Sequence, residues 1–260
     1  MANLTDKALG TLIRVQEGSE NVNYELAGFN VHGAGSATLV RKHVQTQTAT
    51  RRMHNAYINY YGQTEMDTYL NNTLYNTFPA KLRKFIQTAP ITCFFVPDQS
   101  EVLQRKCFLL SNTEIGLPIF GFPSGENSPL GLYSIAERRQ KTNGSSPFGV
   151  SWWLRSRFLT NTGYYGIVNA QGTSVDSITA VDYATVAPAF VLPSNRPLWD
   201  EPNADGSYNL SYAEYIDIDV PLGSLTDMPK AIRTMLQYQG QITSLYACNN
   251  YNDSAPTWEA

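Results

Sequence analysis

The chain has 260 residues, a formal net charge of −3, 16% charged and 42% hydrophobic residues, enough for one large core plus a small appendage. An average soluble protein is roughly 25% charged, so this surface is polar through Asn, Thr, Ser, Gln and Tyr, and its scattered Lys and Arg offer no basic stripe for nucleic acid. Met1-Ala-Asn-Leu-Thr-Asp-Lys7 lacks the parts of a signal peptide, and no apolar run approaches the roughly 20 residues of a membrane span, so a soluble cytosolic product is expected.

In chain order, three short antiparallel strands are expected at Gly10 to Val15, Val22 to Phe29 and Ala37 to Lys42, separated by Gly, Ser and Asn turn signals. Met66, Leu70, Leu74 and Phe78 then recur at every fourth position, with Thr64 as cap and Asp67 in the first turn, which predicts an amphipathic helix. Pro79 can open a second helix with Leu82, Phe85 and Ile86 as its apolar stripe. Ile91 to Val96 and Lys106 to Leu110 read as strands, and Ser111-Asn-Thr-Glu114 has the capping-box spacing that starts a helical turn. A long loop from Gly116 to Pro147, holding a short helix at Leu132 to Arg139, precedes the strand Ser151-Trp-Trp-Leu-Arg-Ser156. Tyr164 to Ala170 and the apolar run Val186 to Leu192 complete an expected three-stranded meander.

In a strand, Trp152 and Leu154 share one face and Trp153 and Arg155 the other. Each tryptophan buries on the order of 150 to 250 Å², so this stretch should be a central strand, one ring in the core and one under the long loop. Trp152, Trp153 and Leu154, with Pro188 and Phe190 of the last apolar run, form the expected structural core. From Leu198 the composition turns to Trp-Asp-Glu-Pro-Asn-Ala-Asp-Gly-Ser, which reads as a linker. It sets a domain boundary, 1–197 before it and a β-rich segment 198–260 after it, with strands at Tyr215 to Val220 and Ile242 to Cys248.

Signals for chemistry are sparse. Cys93, Cys107 and Cys248 lack zinc spacing and read as buried thiols, a Cys93–Cys107 bridge being the alternative. Glu201-Pro-Asn203 supplies oxygen ligands suited to calcium but has no second ligand cluster, and a turn is the better reading. His32, His43 and His54 show no convergence, and no nucleophile elbow, Walker loop or dinucleotide fingerprint occurs. No catalytic residue, metal site or cofactor is therefore expected. Asn161, Tyr164, Tyr165, Asp182 and Tyr183 fall in or beside the loops between the last strands. They form a candidate ligand-binding loop, because tyrosine and asparagine suit adaptable recognition, although strand-packing tyrosines give the same pattern.

Lys106-Cys-Phe-Leu-Leu-Ser-Asn-Thr-Glu-Ile-Gly116, Trp152-Trp-Leu-Arg-Ser156, Ile167-Val-Asn-Ala-Gln-Gly172 and Ala187-Pro-Ala-Phe-Val-Leu192 follow one another in an order that resembles a family of bacterial and phage proteins. That family looks like a divergent branch of the C-type-lectin-like fold, akin to formylglycine-generating enzymes and to variable proteins of diversity-generating retroelements. Ala2-Asn-Leu-Thr-Asp-Lys-Ala8 and Cys248-Asn-Asn-Tyr-Asn-Asp-Ser-Ala-Pro-Thr-Trp-Glu259 also resemble tailed-phage structural proteins. Arg157 stands where the family pattern has proline and Ala187 where it has arginine, and the cysteine pair of the oxidase branch is missing.

The resemblance implies a C-type-lectin-like domain, which with the two helices, antiparallel strands and long loops read above gives an α+β fold, and the pattern of the tail adds a small all-β appendage after it. It also implies a non-enzymatic virion surface protein that binds a host-surface glycan or protein, docks on other virion proteins through the appendage and assembles as a symmetric homo-oligomer. The competing expectation is a purely structural head decoration or tail component, and an enzyme of the formylglycine-generating type is the third.

Overall fold

Residues whose apolar side chains alternate in the first forty positions fold into consecutive antiparallel strands that begin the six-stranded sheet. The computed structural model describes residues 2–44, 50–144 and 147–212, and its elements belong to the unit Met1–Ser211. In chain order these are β1 (Leu12–Glu17), β2 (Glu20–Phe29), β3 (Ser36–Arg41), β4 (Arg51–Arg52), the helix α1 (residues 65–77) and the single turn α2 (Ala80–Arg83). Then come β5 (Ala89–Val96), β6 (Gln99–Arg105), β7 (Cys107–Phe108), β8 (Lys141–Thr142), β9 (Gly149–Val150) and β10 (Trp152–Arg157). The last are β11 (Tyr164–Val168), β12 (Val175–Thr179), β13 (Tyr183–Ala184), β14 (Ala189–Pro193) and β15 (Tyr208–Asn209). A six-stranded sheet has the order β15-β1-β2-β3-β14-β7 and a three-stranded sheet the order β10-β11-β12, with β4-β13, β5-β6 and β8-β9 as two-stranded pairs.

The expected α+β class with two helices is not what forms. The described residues are mainly β, 37% strand against 15% helix, and among them α1 is the one helix of substance, at 13 residues. Thr64 caps it as the sequence suggests, its Oγ accepting the Asp67 N–H at 3.1 Å. Its buried stripe is the expected one, Met66, Leu70, Leu74 and then Phe78. The fourfold spacing of that stripe has a structural cause. At 3.6 residues per turn, steps of four overshoot by roughly 40° each, and the wider turn at Tyr69–Leu74, where Tyr75 N–H reaches Leu70 O, takes up that drift.

The second helix fails because the sheet captures its backbone. Pro79 adopts extended ψ 143° as the cap of one turn. By Gln87 the chain donates to Val191 O at 2.8 Å, bridging to β14. Leu82 and Ile86 are buried without needing a longer helix. The expected helix at Leu132 to Arg139 becomes two 3₁₀ turns, Gly131–Ser134 and Ala136–Arg139, parted by an extended Ile135.

The expected meander also divides. β10 and β11 pair, but the third strand is β12, while the Val186 to Leu192 run crosses to the large sheet as β14, between β3 and β7. β14 is apolar because it is central: Phe190 lies 4.8 Å from the Tyr24 ring and 5.3 Å from Phe78 at the end of α1. The stretch read as a linker from Leu198 is held to the first sheet, with Leu198 N donating to Ala2 O at 2.8 Å, β15 parallel to β1, and Arg14 2.9 Å from Asp205. The strands expected at Tyr215 to Val220 and Ile242 to Cys248, and with them the remainder of the 198–260 segment, lie outside the described residues.

Candidate functional site

Every residue of β10 is buried, as expected of a strand with large side chains on both faces. Each indole fastens a different loop, Trp152 Nε1 donating to Arg139 O at 3.0 Å and Trp153 Nε1 to Arg51 O at 2.7 Å. Leu154, Pro188 and Phe190 are buried with them. Arg155, between these apolar neighbours, cannot be buried as a lone cation. It makes a two-pronged pair with Glu114, Nη1 to Oε2 at 2.7 Å and Nη2 to Oε1 at 2.8 Å, and donates to Leu109 O at 2.7 Å.

Glu114 is in turn the acid of the capping box. Its Oε2 accepts the Ser111 N–H at 2.9 Å, and its own N–H donates to Ser111 Oγ at 3.1 Å. His32 Nε2 donates to Glu114 Oε1 at 2.8 Å, and the other ring nitrogen meets Thr38 Oγ1 at 2.9 Å. Burial alone would raise the Glu114 carboxyl, but Arg155 and then His32 outweigh it and hold it down to about 2.

Beside this pair lies a second buried acid with the opposite tendency. Burial pushes Glu126 up to about 7, against the pull of Arg155 and of its hydrogen-bonding contacts with Ser156 and Phe94 N–H. Ser156 Oγ accepts the Asn112 N–H at 2.9 Å and faces two further oxygens, Asn112 Oδ1 at 2.9 Å and Glu126 Oε2. A hydroxyl has one proton to give. All three contacts are satisfied together when Glu126 carries the proton and donates it to Ser156. This block ties β3, the Ser111 turn, the long loop and β10 together, and its acids are fully buried. It is scaffold.

The open site lies where residues 50–60 cross the end of the three-stranded sheet. β4 pairs with β13, Arg52 opposite Tyr183 and Arg51 opposite Ala184. Further along, His54 N–H donates to Ala180 O at 2.9 Å, and Asn59 Oδ1 accepts the Gly163 N–H at 2.8 Å. Gly163 has φ +75°, and a Cβ there would come within 2.9 Å of the Tyr57 backbone, so both its conformation and this close crossing require glycine. The start of α1 seals the other side, Met66 N–H donating to Met53 O at 3.1 Å and Glu65 N–H to His54 Nδ1 at 3.2 Å.

Between β4, β13 and the start of α1 is a depression of about 230 Å³ lined by Thr50, Arg51, Arg52, Glu65, Met66, Tyr69 and Tyr183. The Arg51 guanidinium lies 3.6 Å from the centre of the Tyr69 ring, and that of Arg52 lies 4.7 Å from Tyr183. Such stacking holds a flexible arginine with its charge still available. Tyr183 is 57% exposed.

Of the five residues that the sequence assigns to a binding loop, Tyr183 alone lines this depression. Asn161 is exposed and Tyr164 half-buried in and beside the neighbouring Gly163 turn. Tyr165 is fully buried, so it packs rather than recognises, and burial pushes its phenol well up. Asp182 is exposed, but its Oδ2 is engaged in closing the β12–β13 turn, accepting from Thr179 N–H at 3.0 Å and from Thr179 Oγ at 2.6 Å. Sequence reasoning missed Arg51, Arg52, Glu65 and Tyr69. The available signal was an adjacent arginine pair with no acidic residue between Glu25 and Glu65.

The weaker motifs resolve simply. Cys93 and Cys107 are buried free thiols. Asn203 spends its amide inside a turn, on Ser207 O at 2.9 Å and on Asn209. His43 meets Thr142 and His54 meets Glu65, so the three histidines lie apart on separate partners. Residues 34–194 match the family model described as a domain of unknown function, DUF6273. The match spans more than half of the chain, which therefore belongs to that family. No curated protein and no solved structure is significantly similar to the chain.

Proposed function

We propose that this member of the DUF6273 family is a non-enzymatic recognition module, carried on a phage particle, that binds the host surface through the arginine–tyrosine depression. The observation that carries the reading is the pair of stacked arginines on β4, Arg52 exposed and Arg51 half-buried, presented on backbone pinned by β13, α1 and the Trp153 indole. Arginine and tyrosine are enriched among residues that dominate binding energy, and sites on rigid strands hold geometry better than sites on free loops. The virion setting rests on the resemblance of the chain's ordered motifs to phage proteins.

The test is flow cytometry of host cells with fluorescently labelled full-length protein. Wild type stains the cells, and Tyr183→Ala loses at least tenfold in staining. Absence of staining, together with protection of Arg52 and Tyr183 from chemical labelling in the intact particle, contradicts the adhesion reading.

That second outcome matches a purely structural role, which has one observation in its favour. Phe120 is 95% exposed and Trp199 53% exposed, large apolar side chains of the kind that a neighbouring virion protein would cover.

A further inference from the structure

The arginines of this protein divide into two groups. Arg14, Arg105 and Arg155 pair with Asp205, Asp67 and Glu114. Arg139, Arg157 and Arg196 donate to backbone carbonyls, and the rest of the described arginines outside β4 also have acceptors. Among the described residues, only Arg51 and Arg52 have neither a carboxylate nor a hydrogen-bond acceptor, and both line one depression. Among the described residues the Nε atoms of Arg41, Arg51, Arg83 and Arg157 are all buried without a hydrogen-bond partner, so what sets Arg51 and Arg52 apart is that neither guanidinium has any acceptor, and buried donors are rarely left so.

The rest of the lining narrows what supplies that acceptor. An exposed tyrosine ring gives a flat apolar platform, while Thr50 and the exposed Glu65 can exchange hydrogen bonds with hydroxyl groups. A fully apolar ligand would strand these groups, and a bare inorganic anion would leave Tyr183 unused. A ring that carries hydroxyls on its edges and one acid group meets every wall, and a volume of about 230 Å³ admits a single such unit at the end of a chain. The short helical-turn donors are already taken, since Glu65, Met66 and Asp67 N–H bond to His54, Met53 and Thr64. The acid group must therefore be met by the guanidinium groups.

We infer that the depression holds a terminal acidic sugar, its carboxylate or phosphate on Arg51 and Arg52 and its ring against Tyr183. This deepens the recognition reading and rests on it. Guanidinium groups match both acid groups with paired donors, so both sources belong to one ligand chemistry.

The experiment is binding of full-length protein to immobilised glycans in four sets: neutral hexose-terminated, uronic- or sialic-acid-terminated, sugar-phosphate-terminated and sulfated. Host-cell staining is measured in parallel. Binding to carboxylate- or phosphate-terminated glycans, reduced at least tenfold by Arg52→Ala and less by Arg52→Lys, and weakened by salt, is the result expected. The two acid sets tell which source is used. Binding to neutral glycans alone, or equal binding by Arg52→Ala, overturns the acidic-sugar inference while leaving recognition intact. Cell staining that depends on Tyr183 but on no glycan, and is abolished by protease treatment of the cells, does the same in favour of a protein ligand. Absence of staining on any cell overturns the recognition reading itself.

Discussion

Two arginine sites within a few strands of each other are built on opposite principles. Arg155 is fully buried, with every donor group engaged by Glu114, Asn127 or carbonyls of Thr92, Leu109 and Glu126. Arg51 and Arg52 are stacked on rings and have no acceptor among the described residues. A cation inside a protein is stable only when its geometry is complete, whereas one at a rim can be left incomplete for a ligand to finish. The connection between them is Trp153, two residues before Arg155 on the fully buried β10, whose indole N–H holds Arg51 O.

The largest effect should come from breaking the inner site. Arg155→Met leaves Glu114 as an uncompensated buried charge and should lower the unfolding free energy by about 3–5 kcal/mol, read from urea denaturation. A loss under 1 kcal/mol would mean that the block is not the scaffold described.

Next is the proton on Glu126. Its carboxyl is raised from 4.5 to about 7 in the folded protein, so the folded state holds the proton more tightly than the unfolded chain. The resulting stability is fully present below about pH 4.5 and is lost as pH rises through about 7, amounting to about 3 kcal/mol. Glu114, held down to about 2, acts in the reverse sense and loses its contribution only as pH falls below about 4.5. Glu126→Gln keeps a donor for Ser156 without a titration. Subtracting its stability curve from that of wild type between pH 4.5 and 8 should expose the Glu126 slope, and parallel curves would refute a protonated Glu126.

Trp153→Phe tests the connection between the sites. It keeps an apolar ring but removes the donor to Arg51 O, which should cost about 1–3 kcal/mol and weaken ligand binding at a rim that the substitution does not touch. Unchanged binding would separate the two regions.

How far the sequence foretold this contrast depends on the range of the interactions. Local signals were legible: the Thr64 cap, the stripe from Met66 to Phe78, and the Ser111–Glu114 box all act within one or two helical turns. The two buried faces of Trp152 and Trp153 were legible because no exposed strand would carry both rings. What was illegible needed partners far apart in the chain. Glu114 could be read as a cap but not as the counter-ion of Arg155, 41 positions away. The second helix was lost to a hydrogen bond from Gln87 to Val191, and the final strand moved to another sheet, because pairing across the fold overrides local pattern. Tyr183 was singled out in the sequence, yet Arg52, which stacks on it, and Tyr69, which lines the same depression, come from elements more than a hundred residues earlier. Asp182 and Tyr165 show the converse, residue types suited to recognition that the fold uses for a turn and for packing.

The smallest effect on stability and the largest on binding should coincide in one variant, Arg52→Ala. Its side chain is exposed and its only described contact is with the Tyr183 ring, so the unfolding free energy should stay within about 0.5 kcal/mol of wild type. Measured on the same preparation by urea denaturation and by staining of host cells, Arg52→Ala should keep its stability and lose at least tenfold in binding. Full binding by a stable Arg52→Ala protein would contradict binding through the depression.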